Sequence, residues 1–490
     1  MLKTSCLVPA SPDEAKFLMS PDLIHSLCAI AGIENVLTGA ATAPHCNDKR
    51  GRYSGEALAV VLPEDAAQVS AVVALCAARG IAIVPQGGNT SLCGASVPLV
   101  GEGQLAEDGQ VLVNLSRMNR IRELDATNYT ITVEAGCILA DVRAAAERGN
   151  RLFPLALPAE RHCEIGGNLS TNAGGVNVLR YGNIRDLALG LEVVLPDGRI
   201  WNGLRALRKD NSGYDLKQLF IGAEGTLGII TAATLKLFPR PQAMAAACVG
   251  LRDPAAAVEL FAHLRAVCGD RISAFEFFGR TCLDMVLHHI ADTREPLAER
   301  HEWLAILELS DVLEVPLEKP LRAALENFSN GIEGFAVTAE KTQAENWWKL
   351  RYSISDAQKM DGISIKHDIS VPVSRVAEFI SLADAALHGA FPGVRIAAFG
   401  HIGDGNIHYN ASMPDSAQNK AFIEQHEREV NRIVYEVVAK LGGSISAEHG
   451  VGQLKRVEIT RYKSALELEM MRGIKRVFDP CGLMNPGKVI

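Results

Sequence analysis

The chain has 490 residues, 48% of them hydrophobic and 22% charged, with a formal net charge of −8. That length predicts two or three domains, the composition excludes a disordered chain, and the negative balance argues against nucleic-acid binding. There is no apolar run of the roughly 18 residues that span a membrane, no apolar signal core, and no Cys-x-x-Cys pair among eleven cysteines for a cluster or zinc ribbon, so a cytoplasmic protein is expected.

Residues 1–54 read as an N-terminal extension, with a short helix at 23–31 and a polar turn at 47–51. Residues 57–62 are a buried-strand run. A helix then starts at Pro63-Glu-Asp, carries Val69, Val72, Val73 and Cys76 at helical spacing, and closes at Gly80. A second strand at 81–84 completes a β-α-β unit. It runs into Pro85-Gln-Gly-Gly-Asn-Thr-Ser91. Gly87 and Gly88, followed by Asn89, Thr90 and Ser91, suit a loop whose N–H groups cradle phosphate; an ordinary glycine-rich turn is the alternative.

Strands are predicted at 111–115 and 130–135, and a helix at 139–148 ending at Gly149. Residues 158–175 then place Gly166, Gly167, Gly174 and Gly175 among Ser170, Thr171 and Asn172. This stretch is too polar for a core and is expected to line a large polar ligand. Strands at 189–195 and 199–201 flank the Pro196-Asp-Gly198 turn. A third glycine-rich element at 220–231 contains Glu224, Gly225 and Ile230 and leads into a strand at 233–238. Pro239-Arg-Pro241 marks a domain boundary.

The second half has an α+β texture. Helices are predicted at 255–268, 374–387 and 417–441, and strands at 305–309, 364–371 and 394–399. The stripe Val376, Phe379, Ile380, Ala383, Leu387 reads as core. Residues 399–410, Phe-Gly-His-Ile-Gly-Asp-Gly-Asn-Ile-His-Tyr-Asn, read as a hairpin turned at Gly403-Asp-Gly405. Such a hairpin brings His401 and His408 to one face of a sheet. Ser446-Ala-Glu-His-Gly450 adds Glu448 and His449. Two histidines and a glutamate suit Zn²⁺ or another divalent ion with one open position; two hydrogen-bonded histidines in a turn are the alternative. A last helix is predicted at 465–478. There is no Gly-x-Gly-x-x-Gly, which removes the usual dinucleotide fingerprint. Residues 482–488 approach a phosphate-loop pattern, but Val489 stands where Ser or Thr is needed and no helix follows. Three separate Gly/Asn/Thr loops fit a long ligand such as FAD.

On these segments the chain resembles the FAD-linked D-2-hydroxyacid dehydrogenases of the vanillyl-alcohol oxidase type. Pro85–Ser91 and Ile165–Gly175 resemble the family's phosphate-cradling segments, and Gly400–His408, Glu448–Gly450 and Asn485–Lys488 are specific together. The resemblance implies an α+β chain with a two-part FAD-binding domain (55–240), an α+β cap carrying substrate and metal (241–457), and a C-terminal helix and tail (458–490) packed back on the FAD domain. It implies FAD contacts from Pro85, Gly87, Gly88, Asn89, Thr90, Ser91, Pro158, Gly166, Gly167, Ser170, Thr171, Asn172, Gly174, Gly175, Glu224, Gly225, Ile230 and Asn485. FAD is expected to be non-covalent, because the first loop has no His or Cys at the usual place and Cys93 lies past it. His401, His408 and Glu448 are the implied metal ligands, and His449 the implied base. Arg351, Ser355 (where the mammalian type has Thr), Lys366, Asn410 and His449 are the implied substrate contacts. The implied reaction removes the hydroxyl proton and passes a hydride to flavin N5.

The substrate expected first is D-2-hydroxyglutarate, because Arg351 and Lys366 offer two cations for a dicarboxylate. D-Lactate, D-malate or glycolate are alternatives, as is a flavin subunit active only within a larger oxidase complex. The implied acceptor is electron-transferring flavoprotein or a quinone rather than NAD, and a homodimer is also expected.

Overall fold

The β-α-β unit near the start of the chain forms as its pattern predicts. In the computed structural model, which describes residues 21–99, 109–328 and 330–490, strand Ala59–Val61 leads to helix Ala66–Ala78 and strand Ala82–Gln86. Asp65 caps the helix by accepting the Gln68 N–H at 2.8 Å. Gly80 ends it at φ +68°. Gln110–Asn114 runs parallel between the two strands, and Val36–Leu37 closes the outer edge antiparallel to Ala59–Val61. The helix at Pro21–Ala31 and the predicted apolar stripe pack together beneath this sheet.

The second sheet is antiparallel throughout, in the order Ile121–Asp125, Thr130–Glu134, Ile229–Lys236, Ala188–Val194, Ile200–Gly203. Helix Leu139–Arg148 buries Leu139, Val142, Ala145 and Ala146 against it. The strand Ile121–Asp125 escaped sequence reading because Ile121, Arg122 and Glu123 are exposed, leaving no apolar alternation to detect. The 158–175 stretch, read as a ligand-lining loop, contains a six-residue helix, Ile165–Ser170, whose Ile165 and Leu169 are buried.

The third sheet has seven antiparallel strands, in the order Ile332–Thr338, Ala243–Leu251, Trp303–Asp311, Ile272–Gly279, Arg395–His401, Asn406–Ser412, Ile365–Ser370. Helices Pro254–Cys268, Val376–Ala390 and Asn419–Lys440 cover one face over Phe275, Phe277, Ile407 and Tyr409. On the other face Trp347, Trp348 and Leu350 pack with Phe278 and Phe399. Sequence reading missed Ala243–Leu251 and Ile272–Gly279, which are buried on both faces along most of their length and so show no period-two pattern. Helices Arg280–His289, Lys341–Tyr352 and Ile354–Asp361 were missed as well.

The C-terminal segment crosses back to the first half, as expected. Phe478, ending helix Ala465–Phe478, sets its ring edge-on to Phe220 at 5.3 Å. Asn485 donates its backbone N–H to Ile83 O at 2.7 Å, and Val489 donates to Gly452 O at 3.2 Å. The tail thereby ties the first sheet to the turn that follows Glu448 and His449.

Candidate active site

Strand register assembles a polar cluster on one face of the seven-stranded sheet. Glu276 stands opposite His401, Asp368 opposite His408, and Lys366 opposite Asn410. Side chains alternate along a strand, so these six share a face while Phe277, Ile407 and Tyr409 enter the core on the other. A slip of one residue would send the whole set into the apolar layer. The corner between the histidine strands requires glycine at 405: its φ is +81°, and a Cβ there would meet Val371 O at 2.0 Å.

Glu448 and His449 come from the turn after helix Asn419–Lys440. Asp368 holds that turn: its Oδ2 accepts the backbone N–H of Glu448 at 3.0 Å and of His449 at 2.8 Å. Its Oδ1 accepts the Asn406 amide at 3.0 Å. Glu448 Oε1 then lies 3.4 Å from His408 Nε2 and 3.7 Å from His449 Nε2. The His408 and His449 rings stack at 5.6 Å.

Asp368, His408, Glu448 and His449 each offer one donor atom within 4.8 Å of the others. His401, expected as a ligand, stands just outside this tight set, its ring 5.8 Å from that of His408. Its Nδ1 is bonded to Glu276, the usual partner of a ligating imidazole, and Nε2 stays available. Asp368 has the reverse character, because three donors already occupy its oxygens. The residues best suited to an ion are therefore His401, His408 and Glu448, with Asp368 as their support.

The electrostatics separate the histidines. Burial pushes His449 down to about 4, against the pull of Asp368, so it is neutral at neutral pH and able to accept a proton. Burial also works against a charged His401, but Glu276 outweighs it and raises that group to about 9. Burial pushes Glu448 up to about 7, opposed by His401.

Beside this cluster lies a cationic wall. Arg351 sits with Nη2 2.7 Å from Glu276 Oε2 and its guanidinium 5.0 Å above the Phe399 ring. Lys366 Nζ donates to Gln358 Oε1 at 3.1 Å, an oxygen that also accepts from Asn410 Nδ2 at 2.9 Å. Burial, with Arg50 and Lys359 adding like charge, depresses Lys366 to about 8. The two cations differ in their partners: Arg351 has a protein carboxylate, and Lys366 has only a neutral amide. Glu276, Gln358 and Arg50 escaped sequence reading as site residues. Glu276 had a signal, as a lone charge in the apolar run Ile-Ser-Ala-Phe-Glu-Phe-Phe. Gln358 had one too, since Arg351, Ser355 and Gln358 follow helical spacing.

One cavity of about 540 Å³ runs from this cluster to the glycine-rich loops. It is lined by Pro85, Gly87, Gly88, Asn89, Thr90, Ser91, Pro158, Gly166, Gly167, Ser170, Thr171, Gly174, Gly175, Glu224, Gly225 and Ile230 at one end. Arg351, Ser355, Lys366, His401, His408, Asn410, Glu448 and His449 line the other. A model of the FAD-linked oxidase C-terminal domain matches residues 240–489, and a model of the FAD-binding domain matches residues 57–203. The chain belongs to the FAD-linked oxidases. It is 34% identical to the D-2-hydroxyglutarate–pyruvate transhydrogenase of Saccharomyces cerevisiae, over 97% of this chain and 95% of that protein. It is 35% identical to the mitochondrial D-2-hydroxyglutarate dehydrogenase of Arabidopsis thaliana, over 94% and 80%. Among solved structures, 4-ethylphenol oxidase from Gulosibacter chungangensis superposes with a TM-score of 0.74 at 18% identity, covering 98% of each chain. That last likeness shows the shared fold alone.

As a FAD-linked oxidase, the chain must hold a dinucleotide, and the cavity walls fit one. Gly167 is the glycine that opens on to the cavity, because a Cβ there would meet nothing within 4 Å. Gly88 and Gly175 are needed for close packing against neighbouring backbone: a Cβ on Gly88 would meet His162 O at 1.9 Å, and one on Gly175 would meet Ala156 O at 2.1 Å. Asn89, Asn172, Glu224 and Asn485 all hold positive φ, and such backbone strain gathers at functional sites.

Two expected cofactor contacts are corrected, since Asn172 and Asn485 do not line the cavity. Asn172 Oδ1 accepts the Arg185 N–H at 3.2 Å. Asn485 Nδ2 bonds Ala95 O and Glu224 O. Both brace the loops through these bonds, while Asn485 Oδ1 is buried without a hydrogen-bond partner. The Glu224 carboxylate reaches the cavity wall but is also committed, accepting from Val451 and Gly452 at 2.7 and 2.8 Å. No described helix is long and apolar enough to cross a membrane. The Arabidopsis relative is named as mitochondrial, so the comparisons do not support the cytoplasmic expectation.

Proposed function

We propose that this FAD-linked oxidase is a metal-dependent dehydrogenase that oxidises D-2-hydroxyglutarate to 2-oxoglutarate. The observation that carries the substrate is Lys366, a half-buried ammonium with Arg50 and Lys359 close enough to depress it and no acidic partner among the described residues. Such a group favours a ligand that brings its own anion. The two relatives described above are both named for D-2-hydroxyglutarate.

Each residue has a task. His449 takes the hydroxyl proton, since its low basicity leaves it neutral and its ring stands beside Glu448. Asp368 positions His449 through the backbone. Arg351, fixed by Glu276, meets one substrate carboxylate, and Lys366, aimed by Gln358, meets the other. Ser355 and Asn410 line the same wall and offer polar contacts. His401, His408 and Glu448 would hold a divalent ion, Zn²⁺ being well matched to that donor set. When bound, the ion would stabilise negative charge on the substrate oxygen and FAD would accept the hydride.

FAD is non-covalent in this reading. Gln86 occupies the loop position in question and is tied to His45 and Ser96. Cys93 is buried, and burial pushes its thiol up to about 12. The missing dinucleotide fingerprint favours a non-NAD acceptor, electron-transferring flavoprotein or a quinone. The name of the yeast relative adds a 2-oxoacid such as pyruvate to the acceptors to test.

A panel of D-2-hydroxyacids with an artificial electron acceptor tests the substrate. D-2-Hydroxyglutarate should rank first and D-malate second. D-Lactate should trail by roughly ten- to a hundredfold in kcat/KM, the worth of one charge-assisted hydrogen bond. Equal rates for D-lactate or glycolate would contradict the dicarboxylate assignment.

A further inference from the structure

Glu164 stands where the two glycine-rich loops meet. It is 6% exposed, and it lines the cavity. Its Oε2 is buried without a hydrogen-bond partner, and no Lys or Arg pairs with it among the described residues. A Cβ placed on Gly87 would stand 3.1 Å from that oxygen and 3.7 Å from the Gly167 N, so carboxyl, first loop and second loop converge at one point of the wall.

A lone carboxylate in such a place is costly, and the group keeps its proton instead. Burial alone pushes Glu164 up to about 8. The titratable groups that feel its charge are the Cys137 and Cys163 thiols, which burial raises to about 12 and about 11. Both stay neutral, so neither offers Glu164 a counter-ion. Of the neighbouring acids, Glu134 is held by Arg120 and Arg122, and Glu160 by Arg143. From the first loop, Gln86 is tied to His45, and Asn114 bonds Gln86 and Gly87. At neutral pH Glu164 is therefore an O–H donor on the cavity wall, with no acceptor for its Oε2 among the described residues.

We propose that Glu164 contacts bound FAD directly, donating a hydrogen bond from its carboxyl to an acceptor atom of the cofactor. This rests on the FAD reading of the cavity. FAD carries a diphosphate, which an ionised carboxylate would repel and a neutral carboxyl would not. Binding then favours the protonated acid, so affinity falls as pH rises past the point where free Glu164 titrates.

The test is FAD binding to the apoprotein, read by flavin fluorescence and by calorimetry, for the parent, Glu164→Gln and Glu164→Ala. The parent should lose about fivefold in FAD affinity between roughly pH 8 and 9, and take up close to one proton per FAD near the upper end of that range. Glu164→Gln, whose amide also donates, should bind FAD like the parent near neutrality and keep that affinity across the range. Glu164→Ala should bind more weakly at every pH. A parent protein with flat affinity and no proton uptake overturns the proposal, as does a Glu164→Gln protein that keeps the parent's pH slope. Proton uptake by the parent decides the matter if the variants fold poorly. A folded apoprotein that binds no FAD at any pH would sink the FAD reading itself.

Discussion

A His449→Ala protein is expected to keep its FAD and its metal while anaerobic flavin reduction by D-2-hydroxyglutarate slows by about 10²–10⁴-fold, the usual cost of losing a positioned base. The variant should fold, because the backbone N–H of residue 449 keeps its 2.8 Å hydrogen bond to Asp368 when the ring, 3.6 Å from the same oxygen, is removed. His449 belongs to none of the hydrophobic core clusters of the described residues. Stopped-flow bleaching of the flavin, with metal content measured on the same sample, separates this from His401→Ala. Loss of His401 removes a donor from the proposed ion site and should lower metal content and rate together. Full metal and full rate in His401→Ala would show the ligand assignment to be wrong.

The second large effect is expected at Glu276, and it is one of stability as well as chemistry. This carboxylate is fully buried and faces two cationic groups, Arg351 at 2.7 Å and His401 across the strand pair. Burial works to raise it, yet His401 and Arg351 together hold it below the ordinary carboxylate range. Glu276→Ala leaves the Arg351 guanidinium buried without a counter-ion, which typically costs about 3–5 kcal/mol. Denaturant unfolding of the parent and variant reads that loss directly. The isosteric Glu276→Gln should fold better, yet still show a raised KM and depleted metal, because an amide holds the Arg351 guanidinium and the His401 ring less firmly than the carboxylate does. An unchanged midpoint in Glu276→Ala would mean that Arg351 has found other compensation.

The half of the site that was legible in sequence was the half announced by turns. Gly403-Asp-Gly405 and Glu448-His-Gly450 place rare side chains beside residues with few structural reasons to recur together, so His401, His408, Glu448 and His449 stood out. Cross-strand partners left no such trace. Glu276 and His401 are 125 positions apart and meet only through pairing between Ile272–Gly279 and Arg395–His401. The bonds from Asp368 to the backbone of residues 448 and 449, 80 and 81 positions on, leave no trace in sequence either.

The fold was read on the same terms. Amphipathic helices such as Val376–Ala390 carry their period in the sequence. Inner strands such as Ala243–Leu251 and Ile272–Gly279 are buried on both faces and carry no period of their own. The loop glycines were legible as a pattern, but their reasons were not: Gly88 and Gly175 are set by carbonyl oxygens of neighbouring backbone, a contact between distant segments.

The most direct test of the account is to mix the purified holoprotein with D-2-hydroxyglutarate in the absence of oxygen and of any partner, and to follow the flavin absorbance. The account predicts complete bleaching, one equivalent of 2-oxoglutarate per flavin, and a much slower response to D-lactate. A flavin that stays oxidised with every D-2-hydroxyacid, in a protein loaded with FAD and metal, would contradict it.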